Sequence, residues 1–252
     1  MIAGKPLPRL PDLIAHRGNA AEFPENTLPA LRSALELGAR HIEFDVQLCA
    51  DRQPVLLNDS NLKRTAGVDR SVLDMTWREL AEVPVVEAER FQKKYTDIGI
   101  PTLAQAVSLL AAHPSVTAFV EIKRASLRAF GAEIVIRKIC EVLKPVVRQC
   151  VLVSFDLAAV HHVRQISSYR IGWMLSDYSS LSALKSEALV PEFLLCDHQL
   201  LTPTNSQLWR GPWRWVAYNV TSRETAMELA SRGVKLVATT AYRKMLREFK
   251  TL

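Results

Sequence analysis

The chain has 252 residues, 48% hydrophobic and 23% charged, enough to bury a sizeable core without disulfides or metals for stability and too apolar for a disordered chain. Its formal net charge of +6 is spread over scattered lysines and arginines rather than one basic stripe, so nucleic acid is not an expected partner; the surplus either solvates helix faces or draws in an anionic small molecule. Four dispersed cysteines lack any CxxC or Cys/His ligand spacing and point to a reducing compartment. Met1 to Pro11 holds no apolar run and does not read as a signal peptide. No stretch approaches the ~20 apolar residues of a membrane-spanning helix. The expected location is therefore the cytoplasm, without membrane insertion; nothing bears on oligomeric state.

Asp12-Leu13-Ile14-Ala15 predicts a first strand that delivers His16 to its C-terminal end. A helix follows from Leu28 to Leu37, with Thr27 as its N-cap, Pro29 in its first turn and Gly38 as its stop. Residues 40–48 predict a second strand, in which Ile42, Phe44 and Val46 alternate with His41, Glu43 and Asp45. Period-two alternation sends Glu43 and Asp45 to one face. Two such carboxylates repel unless a positive charge lies between them, and a hard divalent cation with oxygen ligands supplies one. Taken alone, a Glu-x-Asp pattern is better read as an antiparallel strand with one solvated face.

From Ala50 to Gly99 the periodicity lapses. Pro54–Leu57 is a short extended run, 61–67 is turn-like and a short helix begins at Trp77; a segment this long inside a compact domain reads as an insertion. A helix over 102–112 leads to a strand over 116–122 that is apolar until it ends on Glu121 and Lys123. A solvated face would be polar along its whole length, so this second strand favours a shared site at strand ends. Further helices are predicted over 127–143, 157–165, 179–187 and 223–232, and a last one to about residue 249. Between them lie strands over 150–154, 170–175, 193–196, 213–220 and 234–238. Eight strands alternating with helices predict a parallel α/β fold, most economically a (β/α)8 TIM barrel with catalytic groups at the C-terminal strand ends.

His16-Arg17-Gly18, Pro24-Glu25-Asn26-Thr27, Glu43-x-Asp45 and Glu121-Ile122-Lys123 occur in that order, with Pro101-Thr102-Leu103, Ser154-Phe155 and Gly233-Val234 as further matches. Together they resemble the glycerophosphodiester phosphodiesterases along almost the whole chain. The resemblance implies one barrel domain over 1–252, with the inserted segment at about 50–100 forming a small cap beside the active-site mouth. It implies hydrolysis of a glycerophosphodiester, a small-molecule substrate from phospholipid metabolism, to an alcohol and glycerol phosphate. Glu43, Asp45 and Glu121 are the expected ligands of a divalent cation, Mg2+ or Ca2+. His16 is the acid/base candidate, since imidazole titrates near neutral pH. Arg17 and Lys123 balance phosphate charge, or are structural partners of Glu25 and Glu121. Glu25 and Asn26 organise the loop around His16, and Asn219 reaches toward substrate. Phe155, Trp173 and Trp215 either line the pocket or pack in the core. His41, His113, His161 and His162 read as structural, and His198 sits near a strand end.

The chain departs from the family pattern once. The family carries a His-Asp pair after its second strand, and this chain reads Leu57-Asn58-Asp59. An amide cannot replace a general acid or base, a contribution worth ~10²–10⁴-fold. Two readings therefore stand: an active phosphodiesterase working with one imidazole, or a low-activity or non-catalytic barrel that binds phosphodiesters. A phospholipase D-like relative forming a cyclic phosphate is a third, and its secreted, disulfide-bearing context does not fit this chain.

Overall fold

A computed structural model describes residues 10–201 and 207–250. The first nine residues, which carry the expectation about a signal peptide, lie outside the described residues. In chain order, β1 (Asp12–His16), α1 (Leu28–Glu36), β2 (His41–Leu48) and β3 (Pro54–Leu56) precede the short helices α2 (Lys63–Ala66), α3 (Trp77–Leu80) and α4 (Ala88–Phe91). The alternation then resumes with α5 (Leu103–Ala111), β4 (Thr117–Ile122), α6 (Arg124–Phe130), α7 (Ala132–Leu143), β5 (Cys150–Ser154) and α8 (Leu157–Ile166). It ends with β6 (Arg170–Met174), α9 (Ser180–Leu189), β7 (Phe193–Asp197), β8 (Arg214–Tyr218), α10 (Arg223–Ser231), β9 (Leu236–Thr239) and α11 (Tyr242–Lys250).

Strands β1, β2 and β4 to β9 are parallel, and β1 bonds to both β2 and β9, so the sheet closes into a (β/α)8 TIM barrel. β3 is an extra strand, antiparallel to the end of β2, with Val46 opposite Leu56 and Leu48 opposite Pro54. β2 thus changes partner along its length: its first half pairs with β1 and its last with β3.

Alternation divides the apolar residues into two cores. Ile42, Phe44 and Val46 face outward into the layer between sheet and helices, where Trp173 and Trp215 also pack. Ile14, Phe119, Val153, Phe193, Leu195 and Leu236 fill the barrel interior. Gly172 belongs to that interior because a Cβ there would lie 2.7 Å from Leu195 Cδ1 and 2.8 Å from Val153 Cγ1. The segment between β3 and α5 has its own small core of Leu62, Val72, Met75, Leu80 and Val83, closed by Cys49 and Ile100.

Capping fixes where helices begin. Thr27 Oγ accepts from the Ala30 amide at the start of α1, and Thr102 forms a reciprocal capping box with Gln105 before α5. Three local expectations need correction. The single helix over 127–143 is two, α6 and α7, because Gly131 takes φ +83° and breaks the helical ladder between them. The turn-like stretch 61–67 contains α2, stopped by Gly67 at φ +73°. The strand expected over 213–220 is confined to Arg214–Tyr218, since Asn219 turns at φ +62°.

Gly18 lets the loop after β1 lie directly on α1. Its φ is +81°, and a Cβ would fall 2.5 Å from the Ala30 carbonyl carbon and 2.7 Å from Leu31 N. Gly38 shares the positive φ, +86°, with open space around it. Gly38→Ala should therefore cost about 1 kcal/mol from backbone strain alone. Gly18→Ala adds steric overlap with immovable backbone and should cost ~3 kcal/mol or more. Denaturant unfolding of both variants checks the difference; equal losses would mean that the helix gives way freely.

Candidate active site

Three carboxylates meet at the C-terminal mouth of the barrel. Parallel pairing places Asp45 of β2 opposite Glu121 of β4, and Glu43 opposite His16 of β1. Glu43, Asp45 and Glu121 each offer an oxygen, all within 4.8 Å of one another. All three are buried, at 6%, 0% and 5% exposure, so the solvated-face reading of the β2 alternation fails. The chain thus carries a cluster of acidic residues able to hold a metal ion: an all-oxygen donor set suits a hard divalent cation.

Two cations and two amides surround the cluster. Lys123 Nζ donates to Glu121 Oε1 at 2.8 Å, to Asp45 Oδ1 at 3.1 Å and to Asn58 Oδ1 at 2.9 Å. Arg17 Nε lies 3.0 Å from Asp45 Oδ2, an ion pair whose angle is too bent for a hydrogen bond. The Arg17 amide donates to Glu43 Oε2 at 3.0 Å, a bend made possible by φ +57° at Arg17. Asn26 grips Asp45 at both ends: Nδ2 donates to Oδ2 at 2.8 Å, and Oδ1 accepts from the Asp45 amide at 3.0 Å. That amide lies just past the β1 pairing, so a side chain supplies the ladder bond that the strand no longer provides. His16 Nε2 stands 3.6 Å from Glu43 Oε2, and His16 Nδ1 is buried with no hydrogen-bond partner.

The electrostatics follow from crowding. Burial, then repulsion from Asp45, pushes the Glu43 carboxyl well above its ordinary value and Glu121 up to about 7. Burial opposes ionisation of Asp45 too, but Arg17, Lys123 and the Asn26 amide outweigh it and hold that carboxyl below its ordinary value. Burial and the adjacent Arg17 push the His16 imidazole down to about 4, leaving it neutral at neutral pH. Carboxyl groups this close ask for a cation, and the buried Nδ1 of His16 has no hydrogen-bond partner in the protein.

Comparison with known proteins agrees with the motifs. The glycerophosphoryl diester phosphodiesterase family profile matches residues 16–242. The chain belongs to this family. Bovine glycerophosphodiester phosphodiesterase 1 is 30% identical over 152 residues, 60% of this chain and 45% of that protein. A glycerophosphodiester phosphodiesterase from Caldanaerobacter subterraneus is 38% identical over 98 residues, 39% of this chain and 40% of that protein. The chain spans about half or less of the length of these curated relatives. A phosphodiesterase from Oleispira antarctica, solved with its product sn-glycerol-3-phosphate, superposes with a TM-score of 0.82 at 24% identity, covering 95% of this chain and 96% of that one. The Thermotoga maritima glycerophosphodiester phosphodiesterase gives 0.73 at 21% identity, over 96% and 99%. At these identities the structural likeness concerns the fold.

In this phosphodiesterase-family barrel Asn58 lies inside the site. It follows β3, and its carbonyl accepts from Lys123 and, at 3.0 Å, from Arg17 Nη2. Arg17 and Lys123 also pair with Glu25 (2.9 Å) and Glu121, so each has the structural partner expected for it while facing the site. Glu25 is tied to Arg17, and Asn26 donates its backbone amide to the Arg17 carbonyl, beside His16, while its side chain clasps Asp45. Asn219 is not brought against the carboxylates: it is exposed at the end of β8 and donates to Asp197 Oδ2 at 2.7 Å. His198 Nδ1 lies 3.2 Å from the Tyr218 carbonyl on that same side of the mouth. Trp173 and Trp215 belong to the outer core, and Phe155 sits at the rim, edge-on to Tyr218. His113 bonds the Leu109 carbonyl and His162 bonds Glu133, both away from the mouth.

Sequence reading passed over two residues here. Tyr218 lines the innermost pocket with His16 and Glu43, and Arg64 bridges Glu25 and Asp59. Neither stands in a periodic strand-end motif with other charges; only the closed barrel brings them in. Loss of one carboxylate should unmake the cation site. Outer partners of a metal ligand are themselves worth ~10–100-fold in affinity, so Glu43→Ala or Asp45→Ala should weaken Mg2+ or Ca2+ binding by more than ~100-fold. Calorimetric titration checks this, and undiminished affinity in either variant would place the cation elsewhere.

Proposed function

We propose that the protein is a cytoplasmic, divalent-cation-dependent phosphodiesterase that hydrolyses a glycerophosphodiester to an alcohol and glycerol phosphate. The observation that carries this reading is the convergence of Glu43, Asp45 and Glu121 within 4.8 Å, flanked by His16, Arg17 and Lys123. Family membership supports it, as does the product complex of the Oleispira antarctica phosphodiesterase. Mg2+ or Ca2+ held by the three carboxylates would supply Lewis-acid polarisation of the phosphate and ease deprotonation of an attacking hydroxyl or water.

The chain's own groups do the rest. Arg17 offers its remaining N–H donors to phosphate oxygens as a planar fork, and Lys123, whose three N–H donors go to Asp45, Glu121 and Asn58, adds its positive charge as a point charge. His16, a neutral imidazole beside Glu43, accepts the proton of the attacking oxygen. As the new P–O bond forms, the bond to the alcohol breaks, and the departing oxygen must gain a proton. Where the family pattern places a second histidine, Asn58 offers a carbonyl that accepts from two cations and an amide that donates to Asp59 at 2.7 Å. It can orient Arg17 and Lys123, but it has no transferable proton at neutral pH. Solvent then protonates the leaving group.

The inserted segment between β3 and α5 is, in this reading, a cap on the mouth: the Glu87 carboxylate accepts from the Glu25 amide, and Tyr95 and Arg90 bond the carbonyls of Glu22 and Ala20. Asn219, at the end of β8, is a candidate contact for the alcohol portion. Among the described residues no helix is long and apolar enough to cross a membrane.

Hydrolysis of a panel of glycerophosphodiesters and one aryl phosphodiester, with Mg2+ or Ca2+ and with chelator, tests the reading. Activity should require the cation and rise steeply with leaving-group acidity. Asn58→His should accelerate alkyl substrates by ~10-fold or more and leave the aryl ester nearly unchanged. Tight binding of the panel without turnover would instead identify a phosphodiester-binding barrel.

A further inference from the structure

The polar side chains beside Asn58 close into a ring. Arg17 Nη1 donates to Glu25 Oε1 at 2.9 Å, and Arg17 Nη2 to Asn58 Oδ1 at 3.0 Å. Asn58 Nδ2 donates to Asp59 Oδ1 at 2.7 Å. Arg64 completes the circuit: its Nε donates to Asp59 Oδ2 at 2.6 Å, its Nη2 to Glu25 Oε1 at 2.6 Å and its Nη1 to Glu25 Oε2 at 3.1 Å. Donors and acceptors alternate all the way round. The ring ties the loop after β1 to the stretch that follows β3, from Asn58 and Asp59 to Arg64 of α2.

This arrangement fixes the direction of two groups that face substrate. Turning the Asn58 amide over would set its NH2 against Arg17 and Lys123 and its oxygen against Asp59, so every contact would become repulsive. Arg17 has five N–H donors. Nη1 and Nη2 each give one to the ring and Nε lies beside Asp45, which leaves one on each terminal nitrogen for a phosphate oxygen. Glu25 is only 8% exposed, and its Oε2 is bonded by Arg64. Without Arg64 that buried oxygen must find another donor. The nearest fork is Arg17, which would be drawn into a two-armed pair with Glu25 and away from Asn58 and the phosphate.

We propose that Arg64 is a positioning residue for turnover: through Glu25 and Asp59 it aims the Arg17 guanidinium at the phosphate and holds the Asn58 carbonyl against Arg17 and Lys123, and so makes the inserted segment part of the catalytic apparatus. The inference rests on the phosphodiesterase reading above. Arg64 itself is 41% exposed in its side chain, and its bonds go to Glu25 and Asp59.

The test uses the full chain with Arg64→Ala and Arg64→Lys. Three quantities are measured: kcat and KM for a glycerophosphodiester, Mg2+ affinity, and the NMR signal of the Asn58 side-chain NH2, assigned by its loss in Asn58→Ala. Arg64→Ala should lower kcat by ~10–100-fold, the scale of a misplaced reacting group, with Mg2+ affinity kept within ~2-fold. The Asn58 NH2 signal should move toward that of a solvent-exposed amide. Arg64→Lys keeps the charge and loses the fork, so it should fall between. An unmoved Asn58 signal overturns the proposal, as does a moved signal with kcat unchanged. If Arg64→Ala fails to fold, Arg64→Lys decides by the same criteria. A parent protein that turns over no glycerophosphodiester overturns the phosphodiesterase reading and the turnover half of this inference. That outcome is distinct from failure of the ring, which shows in the amide signal alone.

Discussion

Three buried carboxyl groups within 4.8 Å, which repel one another as they ionise, are the constraint to which the rest of the mouth answers. Away from bulk water, such repulsion costs several kcal/mol unless it is matched. Lys123 sits against two of the three, Arg17 reaches the other pairing of oxygens through its side chain and its amide, and Asn26 clasps Asp45. The resulting potential also bears on His16, where burial and Arg17 outweigh the carboxylates and keep the ring uncharged. Arg17 and Lys123 are therefore shared between the acidic cluster and an incoming anion. Their reach is set from behind by Glu25, Asn58 and the residues that hold those.

The barrel makes room for this crowd by a change of partner in β2. Below Glu43 the strand is bonded to β1; above Asp45 it is bonded to β3. In between, the Asp45 amide and carbonyl are satisfied by the Asn26 side chain and the Leu57 amide. The loop after β1 and the residue after β3 thereby enter the mouth at the same level. This is why Arg17 and Asn58, far apart in sequence, meet. An uninterrupted β1–β2 ladder would have sealed that entry.

The barrel was legible because its signals are local. Alternation in 40–48 and 116–122 gave both the strands and the facing of Glu43, Asp45 and Glu121, and Thr27, Gly38 and Thr102 marked helix ends through cap chemistry that spans a few residues. What escaped was long-range or backbone-dependent. Gly131 sits in a run of helix-forming residues, and only its positive φ shows that the helix breaks there. Asn26 holds the loop after β1 through its amide, as expected, but its side-chain partner, Asp45, belongs to another element and left no local signal. Arg64 lies in a polar stretch with no periodicity, and two of its three bonds go to Glu25, on the loop after β1 and 39 residues away. Asn219 pointed the other way: a strand-end position suggested the site, but Asp197 holds its amide.

Closure of the sheet through β1 and β9 has a consequence for synthesis. The strand that carries Leu13, Ile14 and Ala15 leaves the ribosome early, yet one of its edges stays open until Leu236–Thr239 arrives to pair with it. Until then a short apolar strand presents unpaired amides and carbonyls, a template for joining to another nascent chain. The loop bearing His16 and Arg17 hangs from that strand. The last stave of the barrel, which carries none of the acidic residues, therefore ends the period of greatest exposure to misassembly for the strand that bears the mouth's first loop.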